Sequence, residues 1–222
     1  MLGCPVLRNR SWILDKYLQG IYNLNYPKDQ IHLAFVLNGT PTDDTGTKLY
    51  EFAQKFTNEY KKISILNVRN NNIDSRGKRN YNKFANMRNL FIQMRNKDDE
   101  QIFSVDSDII LDPETLNILG SHQKDIVSAL VQNGKTQFLS HYNIMNKRSD
   151  GRFYHIHELD GLMDVDLTGA CILINKYVLD DNVIYGNHPQ GEDAYFCELA
   201  KKMGYKMYCD TNHEVEHFLG DF

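Results

Sequence analysis

The sequence is poor in the residues that define small disulfide-bonded or zinc-binding proteins. It has only four cysteines in 222 residues, and none of them belongs to a C-x-x-C pair. That pair is typical of structural zinc sites and of redox motifs. Since the cysteines are far apart and stand among apolar neighbours, we predict that all four are reduced residues of the hydrophobic core.

Long apolar segments are also missing from the sequence. No continuous hydrophobic run approaches the roughly 20 residues that a membrane helix needs. Residues 1–10 lack the length and the charge distribution of a signal peptide. We therefore expect no transmembrane segment and a cytoplasmic location, with peripheral attachment to the inner face of a membrane left open.

Charge and glycine pattern exclude several common classes of function. The net charge of -4 and the pI near 6.0 argue against a nucleic-acid partner, which usually requires a concentrated basic surface. The sequence contains neither G-x-x-x-x-G-K-S/T nor G-x-G-x-x-G, so a P-loop nucleotidase and a dinucleotide dehydrogenase lose their main support. The G-x-S-x-G motif of acyl hydrolases is absent as well.

What the chain does have is the pattern of an α/β domain. With 41% hydrophobic residues, its length suits one domain with a core. Short apolar runs alternate with amphipathic stretches, which predicts a mostly parallel central sheet flanked by helices. We predict strands at 4–7, 31–37, 63–68, 102–105, 126–131, 165–174 and 206–209, and helices at 12–21, 45–56, 84–94 and 193–203, with residues 134–161 irregular.

The segment Asp106-Ser107-Asp108 is the strongest chemical feature. It follows a buried strand, and open α/β sheets bind ligands at the carboxyl ends of their strands. Because alternate residues of a strand point the same way, both carboxylates could meet one hard cation. The competing interpretation is a turn of solvated carboxylates, and a second Asp-x-Asp copy at residues 164–166 shows how common the bare pattern is.

Two further groups carry candidate chemistry. Glu192 and Asp193 begin a predicted helix, where they could simply favour the helix N-terminus, or where one could act as a general base toward an attacking hydroxyl. His213 and His217 lie four residues apart on a segment predicted to be extended, so one metal ligand is favoured over two. A set of basic residues on the same sheet edge would suit a pyrophosphate: Arg8, Arg10, Arg69, Arg76, Lys78, Arg79 and Arg88.

Several segments of the sequence follow one another in the same order as the motifs of a known family. The chain opens with P-V-L-R-N-R at 5–10, continues with F-V-L-N-G-T at 35–40 and M-R-N at 87–89, and reaches D-S-D at 106–108. Later come L-T-G-A-C-I-L-I at 167–174, G-E-D-A-Y-F-C at 191–197, and His217. In this order they resemble the GT-A fold glycosyltransferases, specifically the bacterial family-2-like enzymes.

The resemblance implies one GT-A domain over residues 1–222, with a nucleotide-binding half at about 1–110 and an acceptor half at about 111–222. It implies a UDP- or GDP-sugar donor and Mn²⁺ or Mg²⁺ bound by Asp108, Asp106 and His217. The nucleotide and phosphates would contact Pro5, Val6, Arg8, Asn38, Arg79, Arg88, Asp106 and Ser107. Asn38 stands where relatives often carry an aspartate that reads the base, which leaves the base preference open.

The resemblance also implies the catalytic residues. Asp193 matches the catalytic base and Glu192 would orient the acceptor, so the expected reaction is a displacement with inversion at the anomeric carbon. The acceptor could be a saccharide, a lipid-linked molecule or a protein, and the oligomeric state stays unpredicted. The alternatives are a sugar-phosphate nucleotidyltransferase, a non-catalytic nucleotide-sugar binding domain, and a metal-dependent phosphohydrolase.

Overall fold

The computed structural model of the chain describes residues 1–68, 81–137 and 139–218. Helices and strands alternate through its first half, as the hydrophobic pattern predicts. The helices of this described part are α1 Ser11–Tyr22, α2 Thr45–Phe56, α3 Tyr81–Gln93, α4 Thr115–Ser121, α5 Lys176–Asp180 and α6 Glu192–Lys202. Its strands are β1 Leu2–Val6, β2 His32–Asn38, β3 Lys62–Val68, β4 Gln101–Val105, β5 Ile109–Ile110, β6 Ile126–Lys135, β7 Ser140–Tyr142, β8 Met145–Lys147, β9 Phe153–His155, β10 Leu162–Val165, β11 Cys171–Asn175 and β12 Met207–His217.

A single large sheet runs through the molecule in the order β10-β12-β6-β11-β4-β1-β2-β3. Strands β4, β1, β2 and β3 are parallel to one another, as predicted. Beyond β4 the sheet is mixed, because β11 runs antiparallel to both β4 and β6 while β12 is parallel to β6. The seam between the parallel and the mixed part therefore lies at β4, the strand that ends in Asp106.

The two faces of the sheet carry separate hydrophobic clusters. All seven residues of β2 are buried, and their side chains alternate between the faces: Leu33 and Phe35 belong to one cluster, Ala34 and Val36 to the other. Residues of α1, α2 and α4 belong to the first cluster and residues of α3 and α6 to the second. Helices thus cover both faces, which explains why the parallel strands are apolar on both sides.

The buried cysteines fit this core. Cys4, Cys171, Cys197 and Cys209 are all buried and unbridged, which confirms the prediction made from their spacing. Burial raises the pKa of the Cys197 thiol to about 12 and that of Cys209 to about 12. In the described part of the chain, no helix is both long enough and apolar enough to cross a membrane.

The prediction for the second half of the chain was wrong in three places. Residues 134–161, predicted to be irregular, contain the short strands β7, β8 and β9, whose mixed polar and aromatic residues give no alternating pattern. The single strand predicted at 165–174 is interrupted: β10 ends at Val165, β11 begins at Cys171, and between them Ala170 has a positive φ of 63°. The last strand, predicted to be four residues long, runs for eleven as β12. Polar residues fill its second part, so the apolar run that marks a buried strand stops early although the pairing with β6 and β5 continues.

Candidate active site

Three segments meet at the carboxyl end of β4. Asp106, Ser107 and Asp108 form the connection from β4 to β5, and the backbone N–H of Asp106 donates to the carbonyl of Ala170, 2.7 Å away. His217 ends β12, where it pairs with Ile109 of β5. Glu192 begins α6. The acidic motif, the histidine and the helix N-terminus predicted from separate patterns therefore lie around one point.

Arg88 links two of these segments. From α3 its guanidinium binds both carboxylate oxygens of Asp106, with Nη1–Oδ1 at 3.0 Å and Nη2–Oδ2 at 3.1 Å. Its Nε donates to Glu192 Oε1 at 3.2 Å and lies 3.6 Å from Asp193 Oδ1. Burial alone would lower the pKa of Arg88, but the three carboxylates hold it well above its usual value. Arg88 is thus a permanent buried cation that three acidic groups share.

Asp193 is a half-buried carboxylate, 30% exposed at its side chain, whose pKa is raised. Burial raises its pKa to about 7; the charge of Arg88 opposes the rise, while Glu192 and Asp106 add to it. Its side chain packs directly over Gly169, where an added methyl group would lie 2.7 Å from Asp193 Oδ2. A carboxylate whose pKa is close to neutral can exchange protons at physiological pH, as a general base must.

Asp108 and His217 form the second part of the site. Asp108 Oδ2 is 3.0 Å from Arg10 Nη2, and Asp108 Oδ1 is 3.8 Å from His217 Nε2. Burial would raise the pKa of Asp108, but His217 and Arg10 hold it below its ordinary value. His217 donates its Nδ1–H to the carbonyl of Gln132 at 3.1 Å. That bond directs Nε2 toward Asp108, the orientation that metal-binding histidines commonly have.

The three predicted metal ligands are not equivalent in this arrangement. Both oxygens of Asp106 are occupied by Arg88, whereas Asp108 Oδ1 and His217 Nε2 face each other. Within residues 1–68, 81–137 and 139–218, no three His, Cys, Asp or Glu side chains are already set around a common point for a metal ion. Of the three predicted ligands, Asp108 and His217 are thus the two that face each other, and Asp106 is bound to Arg88 instead. The metal-binding roles stay predictions.

The remaining predicted donor-binding residues differ in how deeply they are buried. Val6 in β1 and Asn38 at the end of β2 are fully buried, and Ser107 is nearly so. Pro5 and Arg8 are half-buried, Pro5 within β1 and Arg8 just after it. The Val6 side chain belongs to the core, which leaves its backbone for any contact with a nucleotide. Arg79 lies outside the described residues, and the roles of all these residues stay predictions.

Sequence reasoning did not assign roles to two residues that shape the site. Arg10 was grouped with the basic residues, but its ion pair with Asp108 required knowledge of how the loop after β1 folds against the end of β4. Gly169 carries no charge and gave no chemical signal, although it provides the surface on which Asp193 rests. For Arg88, predicted to contact base or phosphate, the neighbours are the three carboxylates.

Comparison with known proteins places this geometry in a family. The Anp1 family model matches residues 1–152, more than half of the chain. The Mannan polymerase complex subunit MNN9 of Candida albicans is 23% identical over 271 residues, a match that covers 96% of this chain and 74% of that protein.

Solved structures share the fold. The TarS 1-349 structure from S. aureus, in complex with UDP-GlcNAc, has a TM-score of 0.65 at 16% identity. The match covers 99% of this chain and 59% of that one. The mannosyltransferase PcManGT from Pyrobaculum calidifontis, in complex with GDP-Man and Mn²⁺, has a TM-score of 0.64 at 14% identity, with 99% of this chain matched to 57% of that one. The chain spans less than two thirds of these two structures. It belongs to the Anp1 family and has the GT-A glycosyltransferase fold, which confirms the fold and the enzyme class that the sequence predicted.

Proposed function

We propose that this chain transfers a sugar from a nucleotide-diphosphate sugar to an acceptor hydroxyl, with Asp193 as the general base. The observation that carries the proposal is the position of Asp193: a half-buried carboxylate with a pKa of about 7, beside the acidic end of β4. A half-buried base with a pKa near neutral and a separate Asp108–His217 pair give one site a place for the acceptor and a place for the donor phosphates.

The proposed donor is GDP-mannose. Two comparisons support this donor. The MNN9 relative is a subunit of a mannan polymerase complex, and PcManGT, which has a similar fold, binds GDP-Man. UDP-sugars are the second donor class to test, because TarS binds UDP-GlcNAc. The acceptor we propose first is a mannose-containing saccharide, with lipid-linked and protein acceptors as the alternatives.

Asp108 and His217 are the residues that would hold Mn²⁺ or Mg²⁺. A carboxylate oxygen and an imidazole nitrogen that face each other fit such a cation, and oxygens of the donor diphosphate would complete its coordination. When bound, the ion stabilises the negative charge of the leaving diphosphate as a Lewis acid. Arg10, which is ion-paired with Asp108, places a further positive charge at the same end of the site.

The reaction then follows from the placement of Asp193. Its carboxylate accepts the proton of the acceptor hydroxyl while the hydroxyl oxygen forms a bond to the anomeric carbon of the sugar. The bond from that carbon to the donor phosphate oxygen breaks, and the nucleoside diphosphate leaves. Attack from the face opposite the leaving group inverts the anomeric configuration. Glu192, held by Arg88, lies beside the base and is placed to orient the acceptor.

The variant Asp193→Asn tests this function. It keeps the shape of the side chain and removes the base, so transfer from GDP-mannose to a manno-oligosaccharide should fall by about 10²–10⁴-fold, while the Kd for GDP stays within about twofold. In the wild-type protein, kcat/KM should rise with pH up to about 7, as Asp193 loses its proton. The exposed Asp180→Asn is the matched control.

Two outcomes would contradict the proposal. Transfer that survives in Asp193→Asn would remove the assigned base. A product whose anomeric configuration, measured by NMR, matches that of the donor would replace direct displacement by a retaining reaction. Equal loss of GDP binding and of transfer would instead assign Asp193 a structural role.

A further inference from the structure

Three histidines form a cluster that the proposed reaction does not use. His141 lies in β7, His155 ends β9, and His157 follows two residues later. Their ring centroids are 4.9 Å apart for His141 and His155, 5.8 Å for His141 and His157, and 6.4 Å for His155 and His157. This histidine cluster joins β7 to the hairpin of β8 and β9, in the stretch that the sequence predicted to be irregular.

The hydrogen bonds of the cluster leave nitrogen atoms available. His155 Nδ1 lies 2.9 Å from the carbonyl oxygen of Tyr142, and His157 Nδ1 lies 3.0 Å from that of Ser140. Because a carbonyl oxygen only accepts, both Nδ1 atoms must carry the proton, which leaves a lone pair on each Nε2 in the neutral rings. Backbone carbonyls that bind the second nitrogen are the usual outer partners of metal-ligating histidines.

His141 adds an unusual observation. Its Nδ1 is buried and has no hydrogen-bond partner in the part of the chain that the structure describes. Buried polar atoms are nearly always paired, so a nitrogen without a partner indicates a missing ligand, ion or water.

We propose that His141, His155 and His157 form a binding site for Zn²⁺, separate from the donor site. Imidazole nitrogens bind zinc at about 2.0–2.1 Å, so rings that share one ion have centroids roughly 5–6 Å apart, close to the spacing here. The ligating atoms do not yet surround one point, and binding requires the rings to turn; His157, which is exposed, has the room to do so. Imidazole ligands favour zinc, whereas the carboxylate and phosphate oxygens of the donor site favour Mn²⁺ or Mg²⁺.

A bound ion would fix the acceptor-side segment. His141 is on β7, which pairs with β6, whereas His155 and His157 belong to the segment of the hairpin. Three ligands from these two parts would tie the hairpin to the main sheet. Tyr142, whose carbonyl binds His155, pairs with Gln132, and the Gln132 carbonyl binds His217. The zinc site would thus lie two strands from the donor site and would stabilise the strands beside it.

The test is a zinc titration of protein purified without a polyhistidine tag, treated with a chelator, and free of nucleotide. Calorimetry should give one Zn²⁺ per chain, and Co²⁺ used as a probe should give the visible absorption of a tetrahedral nitrogen-ligated site. The exposed His157→Gln, which is expected to fold, and His155→Gln should each weaken Zn²⁺ binding by more than about tenfold, the scale on which even outer partners act. Binding should persist in Asp108→Ala and in the histidine control His213→Gln.

Either of two results would overturn the proposal. The first is no stoichiometric binding of Zn²⁺ or Co²⁺ to the wild-type protein. The second is binding that His157→Gln and His155→Gln leave unchanged, or that Asp108→Ala removes, because the ion would then occupy the donor site. None of these readouts depends on transferase activity, so the zinc site and the proposed function can fail separately.

Discussion

At the scale of single residues, the charge balance of the site depends on Arg88. One buried cation contacts Asp106, Glu192 and Asp193, which come from two segments that are distant in the sequence. Without it, three carboxylates would lie close together in a poorly solvated place. Arg88 therefore keeps the acidic end of β4 and the start of α6 together, and it limits how far the pKa of Asp193 rises.

The variant Arg88→Met tests this role. It keeps most of the side-chain volume and removes the charge, so the free energy of unfolding should fall by about 3–5 kcal/mol, the range for breaking a buried ion pair. Urea unfolding at pH 7 measures the change. Arg95→Met is the matched control, because Arg95 forms a more exposed pair with Asp180, where a loss of about 1 kcal/mol or less is expected. Similar losses for the two variants would contradict the assigned role.

At the scale of helices and strands, one loop residue starts two helices. Asp43 Oδ2 accepts from the backbone N–H of Ser11, at the beginning of α1. Its Oδ1 accepts from both the backbone N–H and the hydroxyl of Thr45, at the beginning of α2. The N-cap residues themselves, Arg10 of α1 and Asp44 of α2, form no side-chain capping bond. Asp43 therefore couples the packing of α1 to that of α2.

Asp43→Ala should destabilise the protein more than an ordinary loop substitution. Loss of a capping side chain costs about 0.5–2 kcal/mol, and two helix starts lose their acceptor here. The neighbouring Asp44→Ala is the matched control and should change the free energy of unfolding by less than about 0.5 kcal/mol. Chemical denaturation of both variants provides the comparison. If Asp44→Ala were the more damaging change, the assignment of the cap to Asp43 would be incorrect.

The elements also indicate what local sequence could predict. Strands β1, β2 and β4 and the helices between β1 and β4 follow the hydrophobic pattern closely, since a strand covered on both faces must be largely apolar. The end of β12 was missed because its side chains are polar and it is held by backbone pairing with β6 and β5. The bond from Asp43 to the start of α1 could not be predicted because it joins residues 32 positions apart, beyond the reach of any local pattern.

The same limit applies to the site. The residues around the end of β4 could be found because chemistry restricts which side chains bind cations or accept protons. Their pairing could not, since Arg88 reaches Asp106 from 18 positions away and Glu192 from 104. Which carboxylate is bound by Arg88 and which faces His217 depends on how α3 packs against the sheet and on the position of β12 within it.

At the scale of the whole molecule, the sheet separates stabilising polar contacts from the active site. His32, at the start of β2, is fully buried. Its Nδ1 is 2.9 Å from Asp99 Oδ2 and its Nε2 is 3.0 Å from Ser64 Oγ. These contacts tie β2 to β3 and to the segment before β4, at the opposite end of the strands from Asp106. Burial lowers the pKa of His32, although Asp99 opposes the change.

This histidine predicts how stability depends on pH. Because the pKa of His32 is lower in the folded state, the unfolded chain takes up a proton below about pH 6.5 that the folded chain does not. The free energy of unfolding should therefore decrease as the pH falls from 7 to 5. His217 and Asp193, whose pKa values are raised in the folded state, act in the opposite direction, so the informative comparison is with His32→Asn. A decrease of equal size in that variant would exclude His32 as the source.

The most direct test of the proposed function is a calorimetric titration of GDP and UDP, each with and without Mn²⁺. The titration compares the wild-type protein with Asp108→Ala, and with Asp164→Ala from the second Asp-x-Asp segment as the control. We predict that one nucleotide, GDP, binds in a Mn²⁺-dependent manner, that Asp108→Ala weakens this binding by more than about tenfold, and that Asp164→Ala leaves it unchanged. Failure of both nucleotides to bind, or binding that depends neither on Mn²⁺ nor on Asp108, would contradict the proposed donor site.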